Sequence, residues 1–243
     1  MAAPNPWSSL PRVWVHMPLP GYRELSDYST CQGFPVEELP PIPIDLDDEC
    51  AWLLRKGTLH LDYGLHRHER AFPPLPPATV EELARQSNLE LPHSFRRFMS
   101  SEDLQSRVCS CTDCYLDPGE RIVETTGSMP GHLIHFLSDS QSCAHWYLHM
   151  LSTGASAVLE SPDLYCYRVE NSDWMENPAC RLDRIDLAGL NFVYCAPSFS
   201  DFLYRFWIEN EIWYAAEYEA SRRPLNALEL AYVEHYISKK PRS

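Results

Sequence analysis

The chain of 243 residues is 44% hydrophobic and 12% aromatic, and it carries a formal charge of −14. This apolar content is enough for a packed core and excludes disorder along the whole chain. The acidic excess argues against nucleic acid and anionic membranes as partners, because both are bound through Lys and Arg.

The same charge suits a basic protein partner, since opposite electric fields speed association. The alternative is that the charge only keeps the protein soluble. The first residues lack the basic start and apolar run of a secretion signal, and no stretch approaches about 18 consecutive apolar residues. We therefore expect a cytoplasmic protein whose nine cysteines are mostly reduced and buried.

The first third of the chain is rich in proline, which fixes φ and removes a backbone donor. Thirteen of the 21 prolines precede residue 78. Within this part, residues 13–17 predict a short strand, Asp47 or Asp48 predicts the cap of a helical turn, and residues 58–65 alternate like a half-buried strand. We expect a proline-rich extension over residues 1–75 that packs on the main domain.

The main domain, predicted over residues 76–221, opens with two short helices. Thr79 and Glu82 have the spacing of a capping box, which satisfies backbone donors in the first turn of a helix. The Leu91-Pro92 step then starts a second helix, because proline is tolerated only in the first turn. The inner stripe of this second helix is predicted to be Phe95, Phe98 and Met99.

After the cysteine-rich loop at residues 109–114, apolar and polar residues alternate with a period of two. Five runs separated by Asp, Gly, Ser and Pro turns predict strands: residues 121–125, 133–137, 144–151, 156–160 and 165–169. Their spacing indicates an antiparallel meander. Residues 184–196 predict either a further strand or a buried connection.

Two helices are predicted to close the chain. Ser198 with Asp201 begins one that is apolar nearly all round, which is typical of a helix buried on more than one side. Asn226 with Glu229 begins the other, within a C-terminal segment over residues 222–243. The predicted fold class is α+β, a mostly antiparallel meander sheet packed by flanking helices.

The order of these segments resembles the SUKH superfamily, the Smi/Knr-type domain of fungal cell-wall-synthesis regulators and bacterial immunity proteins. The resemblance covers about residues 76–215. It is carried by residues 81–83 (EEL), 91–98 (LPHSFRRF), 135–139 (HFLSD), 147–148 (YL) and 198–203 (SFSDFL).

The resemblance implies an α+β fold without enzymatic activity that binds another protein. In bacteria such partners are typically toxins, often nucleases, so the leading expectation is an immunity protein against a basic nuclease-type toxin. The alternative is a regulatory or housekeeping interaction domain with no toxin partner, stabilised by zinc.

Three cysteines within six residues form the sharpest local cluster, Cys109, Cys111 and Cys114. Thiolates at this spacing predict a Zn²⁺ site, with the fourth ligand from Cys143, His145 or His149 on the next strand. The alternative is a loop of reduced cysteines that binds no metal.

Acidic and aromatic residues provide the predicted partner surface. A nuclease must carry basic residues to hold phosphates. An acidic inhibitor can cover these residues because its carboxylates are negatively charged, as phosphates are. The strand residues His145, Tyr147 and His149 are interpreted as the wetter face of the sheet. Trp146 is interpreted as core, although it also qualifies as an anchor. The predicted partner-binding residues are Asp45, Asp47, Asp48, Glu49, Asp163, Glu170, Asp173, Glu176, Tyr165 and Tyr167.

Catalysis has little support in the sequence. There is no Gly-x-Ser-x-Gly elbow, phosphate-binding glycine loop or His-Glu-x-x-His helix. Cys143 and His145 provide a nucleophile and a base, but no third group is identified to orient them. We therefore predict that the protein is not an enzyme.

Overall fold

The computed structural model describes residues 5–15, 19–22, 33–54, 65, 78–166 and 182–239. The predicted α+β class is confirmed. The strands are β1 (Val13–Val15), β2 (Gly33–Pro35), β3 (Tyr115–Leu116), β4 (Val123–Thr126), β5 (Gly131–Ser138), β6 (His145–Leu151), β7 (Ser156–Ser161), β8 (Arg184–Asp186) and β9 (Val193–Ala196). The helices are α1 (Ala51–Leu54), α2 (Ala78–Gln86), α3 (His93–Met99), α4 (Glu102–Gln105), α5 (Phe199–Glu217) and α6 (Ala227–Lys239).

The main sheet has seven strands in the order β8-β4-β5-β6-β7-β9, and β3 also pairs with β5. From β4 to β7 neighbouring strands are antiparallel and follow chain order, as the predicted meander requires. Only β8 pairs in parallel, with β4. Residues 184–196 therefore supply two strands at opposite edges of the sheet. Tyr165 and Cys166 lie outside any strand, and the rest of the predicted strand 165–169, like residues 58–64, lies outside the described residues.

The N-terminal part of the chain meets the free edge of β9. Arg12 forms a parallel bridge with Tyr194, and the Tyr194 N–H donates to the Pro11 carbonyl at 2.8 Å. The two-stranded sheet of β1 and β2 continues from this bridge. An edge strand exposes unpaired backbone groups, so this segment covers an edge that would otherwise be open to water.

One face of the sheet is covered by α3 and α5. The rings of Phe95, Phe136 and Phe199 lie 5.0–5.7 Å apart and join α3, β5 and α5. Ser198 caps α5 as predicted, its Oγ accepting from the Asp201 N–H at 3.0 Å. A helix this rich in aromatic residues is buried on several sides because α6 and β1 pack against it as well.

The other face of the sheet is also buried, so the predicted wetter face is wrong. His145, Tyr147 and His149 are at most 2% exposed. The residues that cover them come from distant parts of the chain. Trp7 and Phe192 lie over this face, and the Tyr147 hydroxyl donates to the Asp163 carbonyl at 2.8 Å. Alternation in one strand cannot reveal a cover supplied by other segments.

The two predicted capping boxes have different outcomes. In α6, Asn226 Oδ1 accepts from the Glu229 N–H at 3.1 Å while a Glu229 oxygen accepts from the Asn226 N–H at 2.8 Å. In α2, by contrast, the helix begins at Ala78, and Glu82 bonds Arg85 and Gln86 within the helix. The Thr79 side chain lies outside the described residues, so the predicted box at Thr79 and Glu82 stays a prediction. Within the described ranges, none of the helices is long and apolar enough to cross a membrane.

Candidate functional site

The acidic segment, defined as Asp45, Asp47, Asp48 and Glu49, lies just before α1. Asp45 and Asp48 are exposed, and neither makes a hydrogen bond or ion pair with any residue that the structure describes. Asp47 is half-buried, and its Oδ1 accepts from the Ala51 N–H at 2.8 Å, so it anchors the start of α1. The segment thus keeps two free carboxylates and uses a third for folding.

The fourth carboxylate of the acidic segment is shared with α3. Glu49 lies 2.6 Å from His93 Nε2 and 3.6 Å from Arg97 Nε. All three side chains are at least 38% exposed, so this contact is screened by water and contributes at most about 1 kcal/mol. Within the described part of the chain, the segment therefore stays negative overall beside Arg97.

The second predicted acidic group is described only in part. Asp163 is half-buried, and its carboxylate accepts from the Tyr165 hydroxyl and the Asn191 amide, each at 3.3 Å. Tyr165 was predicted to contact the partner at the surface. It is instead fully buried, with its ring stacked on that of Phe192. Trp146 packs against the rings of α5, as its predicted core role requires. Lying outside the described residues are Tyr167, Glu170, Asp173 and Glu176.

The cysteine loop is where the sequence predicts a Zn²⁺ site. All three of its cysteines are described, and the described residues contain no group of three His, Cys, Asp or Glu side chains suited to hold a metal. The Zn²⁺ site at Cys109, Cys111 and Cys114 stays a prediction, without such a ligand cluster among the described residues. Burial raises the pKa of the Cys111 thiol. The loop docks on α5, where Asn210 accepts from the Cys111 N–H at 2.7 Å.

A buried polar cluster at the ends of β5 and β6 was missed by sequence reasoning. Ser138 Oγ lies 2.8 Å from Asp117 Oδ2, 2.9 Å from His145 Nδ1 and 3.1 Å from His135 Nε2. These are the residue types of a catalytic triad, and the Ser138 hydroxyl donates to the Asp117 carboxylate. Ser138 is also fully buried, and its hydrogen bonds join the ends of the strands.

His149 is held in one neutral tautomer inside the second face. Trp7 Nε1–H donates to His149 Nδ1 at 2.8 Å, so Nδ1 carries no proton. His149 Nε2 lies 2.8 Å from Thr125 Oγ1, whose own hydroxyl donates to the Met129 carbonyl. Nε2 must therefore be the donor. Burial, followed by the charge of nearby His132, lowers the pKa of His149 to about 4.

This lowered pKa predicts a loss of stability in acid. Because the folded state binds a proton more weakly than the unfolded state, the contribution of His149 is full above about pH 6.5 and falls as the pH drops towards 4. The difference in free energy of unfolding between the wild type and His149→Gln should shrink by about 2 kcal/mol from about pH 7.5 to about pH 5. Urea unfolding at the two pH values measures it. A constant difference contradicts the assignment, and the exposed His93→Gln serves as control.

A cavity of about 560 Å³ lies between residues 9–11 and the connection from β8 to β9. Glu160, near the end of β7, lines this cavity and is only 6% exposed. Its carboxyl group has no hydrogen bond or ion pair among the described residues. Burial raises the pKa of Glu160 to about 8. The only signal in the sequence was a lone carboxylate that ends the apolar run Ala157-Val158-Leu159.

Comparison of the chain with protein-family models, with curated proteins and with solved structures finds no match. The SUKH resemblance therefore stays a prediction that rests on the sequence segments quoted above.

Proposed function

We propose that this is a non-enzymatic, SUKH-like protein that binds a basic protein, and that its role is to neutralise a nuclease-type toxin. The observation that carries the proposal is the pair of exposed carboxylates, Asp45 and Asp48, which have no partner among the described residues. Leu54, at the end of the adjacent helix α1, is 39% exposed and offers an apolar contact beside the two charges.

The physical basis of the proposal is charge complementarity. A nuclease binds phosphates through Lys and Arg, and a carboxylate pair on a rigid element can occupy the same basic groups. The anchoring of the segment by Asp47 supports this role, because a fixed backbone lowers the entropy lost on binding. The net charge of −14 adds long-range attraction to a basic partner.

The test removes the two free charges and leaves the helix anchor in place. Asp45→Asn with Asp48→Asn should slow association with the basic partner about tenfold at about 50 mM salt and flatten its salt dependence. Asp47 is left unchanged because its loss would loosen α1. The partner is first captured from host lysate on the wild-type protein, and its association rates are then measured by surface plasmon resonance.

The matched control is Glu217→Gln with Glu219→Gln, which removes two exposed charges, one at the last residue of α5 and one just beyond it. It should keep the wild-type rate within about twofold, because charge distant from an interface acts only weakly through salt. Equal slowing by both double variants would mean that net charge alone drives binding. Unchanged rates in Asp45→Asn with Asp48→Asn would overturn the assignment of the surface.

A further inference from the structure

The cavity beside Glu160 has the composition of a small-molecule site. Its walls are mainly apolar, with Leu10 on one side and Leu187, Leu190 and Phe192 on the other. A volume of about 560 Å³ falls within the range of ligand pockets, which combine apolar walls with a few polar groups that orient the ligand. It lies in a different part of the fold from the acidic segment. A second cavity of about 550 Å³, at α2 and α3, mixes two arginines with two glutamates and has no buried charge.

Glu160 is the charged side chain among the described residues that line this cavity. A charged carboxylate is costly to bury unless a cation or a hydrogen-bond donor compensates its charge. Directly opposite Glu160 in the register of β6 and β7 is Trp146, whose buried Nε1–H also has no hydrogen-bond partner. A buried donor without a partner is uncommon, since native interiors pair nearly all polar groups.

The surroundings of the cavity favour a cation. Asp163 lies at the rim through its bond with Asn191, which lines the cavity. Asp186 holds the backbone of Ala188, another lining residue. Arg12 directly follows Pro11, a residue that lines the cavity. Its guanidinium, however, lies 4.5 Å from the centroid of the Tyr194 ring and bonds Glu37. Among the residues that the structure describes, Glu160 therefore has no cation as a partner.

We propose that this cavity binds a primary ammonium group carried on an aliphatic chain, with Glu160 as the acceptor and the leucine walls around the chain. A free alkylamine and a lysine side chain of another protein share this chemistry. The binding is a reversible ion pair, and the proton that Glu160 loses passes to the buffer. The proposal goes beyond the proposed function, and it is tested with free molecules, so its failure leaves the acidic segment untouched.

The probe is n-hexylammonium, compared with 1-hexanol as its neutral equivalent, in isothermal titration calorimetry. We expect n-hexylammonium to bind the full chain with a Kd of about 1 mM or tighter. Because charge-assisted hydrogen bonds are stronger than neutral ones, 1-hexanol should bind at least about tenfold more weakly. Glu160→Gln should also weaken n-hexylammonium at least about tenfold, while the exposed Glu219→Gln should leave it unchanged.

Ala188→Phe gives an independent arm, since it fills the cavity from an exposed lining position without touching Glu160. It should abolish binding in a protein that unfolds at the wild-type temperature. A second readout needs no variant at all. Titrations near pH 7 in two buffers of different ionisation enthalpy should show release of close to one proton, because Glu160 is protonated before the ammonium group binds.

The affinity should rise between about pH 6 and about pH 8.5 as Glu160 ionises. Among the described residues, the carboxylates of Asp163 and Asp186 also lie near the cavity. On β9, burial raises the pKa values of Cys195 and Tyr194, and Arg12 keeps its charge. None of them changes charge in this range in the direction that would mimic Glu160. Nα-acetyl-lysine methylamide distinguishes the sources. Its binding supports a lysine side chain as ligand, and binding of n-hexylammonium alone supports a free amine.

Three results would overturn the proposal: no saturable binding of n-hexylammonium up to about 20 mM, equal binding of 1-hexanol, or wild-type affinity in Glu160→Gln.

Discussion

Glu160→Gln should raise the free energy of unfolding by about 3 kcal/mol near pH 7. Burial raises the pKa of Glu160 from 4.5 to about 8, so the folded state binds its proton more tightly than the unfolded state. The stability that this group contributes is therefore full below about pH 4.5 and is lost as the pH rises through about 8. Glutamine has nearly the same shape as the protonated acid and removes this dependence.

Urea unfolding of the wild type, Glu160→Gln and Glu219→Gln at about pH 5 and about pH 7.5 measures the effect. The gain of Glu160→Gln should fall below about 1 kcal/mol at about pH 5, where the wild-type acid is mostly protonated. Glu219 is exposed, so its replacement should be neutral at both values. A gain that is independent of pH would show that packing, not ionisation, is responsible.

The same measurements bear on His149. Acidification lowers the free energy of unfolding through His149 and raises it through Glu160, whose buried carboxylate becomes protonated. The two contributions therefore change in opposite directions between about pH 5 and about pH 7. The stability of the wild type should therefore vary little across this range. His149→Gln should show the pH dependence due to Glu160 alone, and Glu160→Gln should show that due to His149 alone.

Trp14→Ala should lower the free energy of unfolding by about 3–5 kcal/mol, the cost of removing a large buried aromatic side chain. Trp14 is fully buried, with its ring centroid 5.6 Å from that of Phe202 on α5. Its Nε1–H also donates to Glu209 at 2.9 Å, and the Tyr232 hydroxyl of α6 donates to the same buried carboxylate at 2.8 Å. One side chain of β1 thus joins the two closing helices.

Trp14→Phe separates packing from hydrogen bonding. It keeps an aromatic ring but leaves Glu209 with one donor fewer, at a cost of about 1–3 kcal/mol. Leu182→Ala is the control, because Leu182 is 52% exposed and should change stability by less than about 0.5 kcal/mol. Chemical unfolding followed by circular dichroism reports all three. Wild-type stability in Trp14→Ala would show that β1 is not part of the cooperative core.

Local sequence signals predicted the elements whose causes are local. The Phe95 and Phe98 stripe, the Ser198 cap and the Asn226–Glu229 box each depend on residues within one or two helical turns, and all three are present. The meander from β4 to β7 was predictable for the same reason, since short turns force neighbouring strands to pair. The candidate site was predicted only as far as the free carboxylates of Asp45 and Asp48.

By itself the sequence determined where helices and meander strands form, which residues share a strand face, and that the surface is acidic. Only the tertiary structure decided what covers each face. Trp7 reaches His149 across 142 positions of the chain, and this contact turns a predicted wet face into a second core. The contact of the cysteine loop with Asn210 likewise joins residues about a hundred positions apart, which no local pattern predicts. The isolation of Glu160 has the same origin, because burial and the lack of a partner arise from segments that meet only after folding.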